Sequence, residues 1–218
     1  MTPPLSPSDK LIAALSEAVA PVKRLPSPEV RAGKWLAFAA GVVGVLVAMH
    51  GPRADLAARF ADPAFAIPWI ASVLVGLTAA FAAFQMSVPG SHRAIAMLPG
   101  LPLAVWLGTL GTGCASELAD MGSAALGTSW ACFQFIVLTG SALALGMALM
   151  LRRAAPLAPS RTLAMGALAA AAFASAGLEL FHHLQTSTMV LIWHLGTVGL
   201  VTLAALALGQ RALGKPAY

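Results

Sequence analysis

Apolar residues run along this chain in six long blocks, each bounded by proline, glycine or charge. The blocks cover residues 35–50, 64–86, 94–113, 129–151, 162–181 and 188–209, the first being short unless Ala32 and Gly33 join it. A helix needs about 20 mostly apolar residues to cross a hydrocarbon core about 30 Å thick. The blocks are rich in Ala, Leu and Gly and lack the period-two alternation of a barrel strand, so each reads as a helix. The pattern predicts an all-α membrane protein with six transmembrane helices. Pro52, Pro63, Pro89, Pro156 and Pro159 fall in the gaps, where helix breakers belong. Pro68, Pro99 and Pro102 fall inside the second and third blocks, as kinks or first-turn residues of the kind membrane helices tolerate.

Composition agrees with the pattern. Hydrophobic residues make up 59% of the 218 and charged residues only 10%, against about 25% charged in a soluble domain. A surface facing water could not be covered with so few charges. The net charge is +5, but the basic residues cluster between apolar blocks and lack interleaved aromatics. They read as determinants of topology and not as a direct nucleic-acid surface. With the N-terminus in the cytoplasm, Lys10, Lys23, Arg24, Arg31, Lys34, Arg93, Arg152, Arg153, Arg161, Arg211 and Lys215 lie inside, and Arg53 and Arg59 outside. Eleven of the thirteen Lys and Arg residues then sit on the cytoplasmic side, which is the positive-inside arrangement of a bacterial inner-membrane protein with both termini inside. Residues 35–209 form the membrane domain and 210–218 a cytoplasmic tail.

Residues 1–34 are rich in Pro and Ser and carry charges of both signs, unlike a signal peptide. They read as a cytoplasmic arm holding an amphipathic helix at about residues 8–20, with Ser8 as N-cap and Asp9 in the first turn. Leu11, Leu15 and Val19 recur four apart, with Ile12 widening the stripe, and Pro21 ends it. Val22, Lys23 and Arg24 then form a stiff basic connector. A helix this short is marginal alone in water, so its apolar face must dock. The membrane surface and a groove on a partner protein are both open as the dock.

Polar chemistry collects on the predicted outer side. Cys114 closes the third block, Cys132 opens the fourth, and His50 ends the first. Glu179, His182 and His183 follow helical spacing if the fifth helix continues to them, and His194 lies within two turns of the start of the sixth. Three readings fit these residues. Each histidine can be an interfacial or helix-pairing polar group. The two cysteines can form a disulfide in an oxidising compartment. Thiol and imidazole groups can together hold a soft metal such as zinc or copper, although no metal-ligand motif is present. Phosphate-loop, dinucleotide and nucleophile-elbow motifs are absent, so no enzyme activity and no cofactor is predicted.

The order of short motifs along the chain resembles the NrsF family of bacterial membrane anti-sigma factors. The resemblance is carried by Leu11-Ile12-Ala13-Ala14-Leu15, by Pro21-Val22-Lys23-Arg24-Leu25, by Arg53-Ala54-Asp55-Leu56 and by Asp62-Pro63-Ala64-Phe65. It continues through Gly111-Thr112-Gly113-Cys114, Ser129-Trp130-Ala131-Cys132, Phe181-His182 and Trp193-His194. Where some members of that family carry a second key cysteine, this chain has His183. The resemblance implies a regulator whose arm holds an extracytoplasmic-function sigma factor at the membrane, away from RNA polymerase core. Leu11, Ile12, Leu15, Val19, Val22, Lys23 and Arg24 would make that grip. A metal or redox signal outside, received by Cys114, Cys132, Glu179, His182, His183 and His194, would release it. A small membrane redox, metal- or haem-handling protein is the second function class. A transporter is the third, weakened by the lack of paired midplane charges and of an inverted repeat.

Overall fold

The computed structural model of the chain describes residues 6–18, 24–122, 130–182 and 187–213, and among them every regular element is a helix. The arm contributes α1 (Pro7–Ala18). Its N-cap is Ser6 and not Ser8. The Ser6 hydroxyl accepts from the Asp9 N–H at 3.1 Å, and Asp9 Oδ2 accepts from the Ser6 N–H at 3.1 Å. This reciprocal capping leaves Pro7, which has no N–H to satisfy, at the first helical position.

The bundle begins with α2 (Pro28–His50), capped by Ser27 and opened by Pro28. It starts a full two turns before the apolar block, because Arg31 is not left in solvent. Arg31 is buried, donates through Nη2 to Ser87 Oγ at 3.0 Å, and lies over the Phe84 ring at 5.4 Å. A short helix, α3 (Leu56–Ala61), follows in the connection, and α4 (Pro63–Met86) returns. Asp62 caps α4 and Pro63 occupies its first turn, while Pro68 is carried inside the helix. A 3₁₀ turn at Arg93–Met97 leads into α5 (Gly100–Met121), with Pro102 in the first turn. Two turns are added beyond Gly113, and Gly122 at φ +58° stops the helix. Then come α6 (Trp130–Arg152) and α7 (Pro159–Leu178). The last passage is α8 (Ser187–Met189), a π-helical stretch Val190–Leu195, and α9 (Gly196–Leu213).

Six helices are long and apolar enough to cross a membrane: Pro28–His50, Pro63–Met86, Arg93–Met121, Cys132–Arg152, Pro159–Leu178 and Ser187–Gly209. The outer faces of the bundle carry large apolar side chains such as Val45, Leu101, Leu138, Leu145 and Leu203, each more than half exposed. An apolar surface of that extent, on helices of this length, points to a membrane protein.

Helix α7 is the hub. It packs against α2, α4, α6 and α9, and most of its residues are buried, including Ala169 to Ala172, Ala174 and Ala176. Small side chains let neighbours approach closely where hydrophobic transfer between helix and lipid supplies no drive. Small residues on neighbouring helices do the same. A Cβ at Gly76 of α4 would stand 2.8 Å from the Phe173 ring, and one at Gly209 of α9 would run into Ser160 Cα and the Pro159 carbonyl. Trp35 Nε1 closes the packing by donating to the Leu143 carbonyl at 3.2 Å.

Candidate functional site

The up-and-down course gathers one end of the bundle from the finish of α2, α5 and α7 and the start of α4, α6 and the last passage. This is the end that holds His50, Cys132, Glu179, His182 and His194. The fifth membrane helix does not continue to the histidines, as the sequence spacing required. It stops at Leu178, and residues 179–182 form tight turns in which the Leu180 N–H bonds to Gly177 O and the His182 N–H to Leu178 O. Glu179 is the C-cap of α7, still helical in conformation with its N–H bonded to Ser175 O, and its side chain is buried, while Phe181 and His182 follow in the turns.

His194 is the deepest of these groups. It is fully buried, and Ser175 Oγ lies 3.0 Å from its Nδ1. Glu179 Oε1 lies 3.7 Å from the same nitrogen, with both side chains almost wholly removed from solvent. His194 sits in the π-helical stretch, a departure from α-geometry that recurs at functional positions. Cys132 is also fully buried, and its Sγ lies 3.8 Å from His182 Nε2 and against His194. The thiol shares an apolar cluster with Ile136, Leu178, Phe181 and Trp193. His50 stacks on Phe181 with centroids 4.6 Å apart, which brings the end of α2 onto the same cluster.

Two polar clamps frame these groups. Arg53, in the loop after α2, is buried and grips Asp55 through Nε–Oδ1 at 2.6 Å and Nη2–Oδ2 at 2.9 Å. Its Nη1 donates to the His182 carbonyl at 3.1 Å, and its backbone N–H to Leu180 O at 3.0 Å. On the other side Glu117 of α5 accepts from the backbone N–H of Ser187 at 2.7 Å and of Thr188 at 2.9 Å, so a carboxylate caps the start of the last passage.

Of the predicted outer residues, Cys132, Glu179, His182 and His194 come together. His183 lies outside the described residues. Cys114 does not end its helix but sits two turns short of the end of α5, half-buried. The two cysteines are not joined in a disulfide. Among the described residues no three His, Cys, Asp or Glu side chains are placed to hold a metal ion. Ser175, Arg59 and Glu117 were not singled out for this cluster by the sequence, since a serine in an Ala-rich helix and single charges near helix ends carry no distinctive spacing. At the opposite end, Leu11, Ile12 and Leu15 of α1 are 58–63% exposed, and Arg24 is exposed. Val19, Val22 and Lys23 lie outside the described residues.

The fold and the cluster can be set beside known proteins. A family profile described as NrsF, negative regulator of sigma F, matches residues 15–214. The chain belongs to the NrsF family. No curated protein and no solved structure matches it. An NrsF chain is a regulator of a sigma factor, which is not an enzyme class, and its partner is a sigma factor. The match runs from Leu15, inside α1, to the end of α9, so it covers both the bundle and part of the arm.

Proposed function

We propose that this NrsF protein is an inner-membrane anti-sigma factor, with both termini cytoplasmic, that holds an extracytoplasmic-function sigma factor by its arm. The observation that carries the reading is the state of α1. Every residue from Pro7 to Glu17 is exposed, with Leu11, Ile12 and Leu15 on one face and nothing of the bundle packed over them. A short amphipathic helix with an uncovered face is the donor half of a helix-in-groove clasp. Val19, Val22, Lys23 and Arg24 extend the grip toward α2. Coupled folding of such a segment absorbs roughly 2–5 kcal/mol of the gross interaction, which keeps the clasp reversible.

The signal enters at the far end, on the periplasmic side. Cys132, His182, Glu179 and His194 form the receiving cluster, with His183 as its further member. Metal or redox stress is the input, because a thiol beside imidazoles is both oxidisable and a soft ligand. Helix α2 links the two ends: its last residue, His50, stacks on Phe181 of the cluster, and its first turn follows the arm.

The deciding experiment is affinity purification of the intact protein from membranes. The parent is expected to bring down a sigma factor in near-stoichiometric amount. Leu11→Asp and Leu15→Asp place a charge in a desolvated interface at a cost of several kcal/mol. They should insert normally, lose the sigma factor and leave its regulon constitutively on. Variants that repress as well as the parent would show that the arm is not the clasp.

A further inference from the structure

Beside the receiving cluster lies a small cavity of about 40 Å³, walled by Arg59 of α3, Phe65 and Pro68 of α4, Leu110 of α5, Glu179 and Val190. Its two charged walls have opposite sign. Glu179 Oε1 and Arg59 Nε are buried atoms, and neither has a hydrogen-bond partner among the described residues. Glu179 itself is 3% exposed. Two orphaned polar atoms of opposite charge on one cavity are costly unless something polar lies between them. The volume admits about two waters, and water is the occupant that satisfies a donor and an acceptor together.

The cavity ends on the Glu179–His194 pair. We propose that it is a water-filled proton port and that the Glu179–His194 pair is a proton-binding site of the bundle. The ligand is a proton taken from bulk water, with no covalent step. A carboxylate and an imidazole 3.7 Å apart are neutral together while they hold one proton between them. A second proton makes the buried site a net cation facing Arg59, and burying an uncompensated charge is strongly unfavourable. The site must then give way.

The surroundings determine how. Ser175 Oγ can either accept from or donate to His194 Nδ1 at 3.0 Å, so it accommodates both states of the ring without breaking contact. His194 lies in the π-helical stretch, where the backbone departs from α-geometry. The other groups around the pair are fixed in role. Arg53 is held by Asp55 and by the His182 carbonyl. Glu117 is held by the Ser187 and Thr188 N–H groups. Cys132 lies against His182 and His194. Helix α4 presents Ala64, Phe65 and Pro68 here, and Ser187 adds a hydroxyl, none of them titratable. Among the described residues Arg59 is the charged group that lines the cavity together with Glu179.

The link to sigma release rests on the anti-sigma reading, but the site itself does not. The test therefore uses purified full-length protein in lipid nanodiscs without a sigma factor. Trp193, beside His194 and 6.0 Å from the Trp130 ring, reports by its emission as the pH is lowered from about 8 to about 4. The parent should show one reversible step. Glu179→Gln and His194→Gln should each abolish it. Arg59→Gln should move its midpoint up by about one pH unit, because the carboxylate loses its cation. No step in the parent, or a step that survives in both Glu179→Gln and His194→Gln, would overturn the proposal. Should those two variants lose their helical circular dichroism, an unmoved midpoint in Arg59→Gln overturns it instead. Failure to recover a sigma factor would leave the step standing, and absence of the step would leave the grip of the arm untouched.

Discussion

The guanidinium of Arg53 donates to the carbonyl of His182, 3.1 Å away, and so fastens the loop after α2 to the end of α7. One arginine thereby joins the helix that carries the arm to the residue that touches the Cys132 thiol. Asp55 orients it from outside through two further bonds.

Arg53→Ala should loosen this joint. The lost bond to His182 and the lost packing over Phe65 together cost about 1–2 kcal/mol. Arg53→Lys should recover only part, since a lysine cannot make the forked contact with Asp55. Thermal unfolding of the purified protein measures both. The Arg53 hydrogen bonds hold the Asp55 carboxyl below the usual carboxylate range. A folded-state pKa below the unfolded one adds stability that is fully present above the unfolded value and lost as pH falls through the folded one. The deficit of Arg53→Ala should thus be largest near neutral pH and narrow only in strong acid. A deficit that grows on acidification would contradict the pairing.

The number of membrane helices was legible because each needs a long apolar run, and lipid enforces that requirement more strictly than water does. Helix ends were less legible. Block edges mark where charge begins, yet α2 carries the charged Arg31 inside the bundle because Ser87 and Phe84 receive it. The hub was legible in principle. Helix α7 is the least hydropathic of the six and the richest in alanine, as a helix that meets helices on all sides can be. The cluster was legible only as a list of residue types on one side. The spacing of Ser175 and Glu179 puts both on one face of α7, but nothing in the sequence tells that His194 meets that face or that the chain turns after Glu179, a turn held by Arg53, 126 positions away from Glu179 in the sequence.

Glu117 caps the start of the last passage with its carboxylate. Glu117→Ala removes the acceptor from two backbone donors at a helix start and should cost about 1–2 kcal/mol. Glu117→Gln keeps one acceptor oxygen and should cost less. Hydrogen exchange is the specific readout. Faster exchange at Ser187 and Thr188 with little change in α2 would show a local cap, whereas uniform acceleration would show a global defect.

The proposed orientation follows from the charge distribution and can be tested by labelling. In a background with Cys114 and Cys132 replaced by serine, Arg153→Cys should react with an impermeant maleimide only after cells are opened. Ala58→Cys, exposed on α3, should react in intact spheroplasts. The native Cys132 is no substitute as an outer marker, because its side chain is fully buried. The reverse labelling pattern would invert the bundle, and the receiving cluster would then face the cytoplasm.

The two cysteines should differ in function, because the structure treats them differently. Cys132 lies 3.8 Å from an imidazole nitrogen of His182 and against His194, inside a shell of Phe181, Trp193 and Leu178. Cys114 sits half-buried on α5 with no hydrogen bond or ion pair among the described residues. A soft metal or an oxidant that changes Cys132 must displace His182, whose carbonyl is held by Arg53 and whose neighbour Phe181 carries His50. The displacement therefore reaches α2 directly. A coupling of about 1–3 kcal/mol between two packings would be enough to free the arm, and the change of one thiol contact is of that size. A change at Cys114 has no such route. In a reporter strain for the sigma regulon, Cys132→Ser should keep repression and lose induction by cadmium or hypochlorite. Cys114→Ser should keep both. His183→Ala tests the remaining predicted member of the cluster by the same comparison. Normal induction in Cys132→Ser would remove the thiol from the input. Loss of induction in Cys114→Ser alone would move the input to α5, away from the histidines.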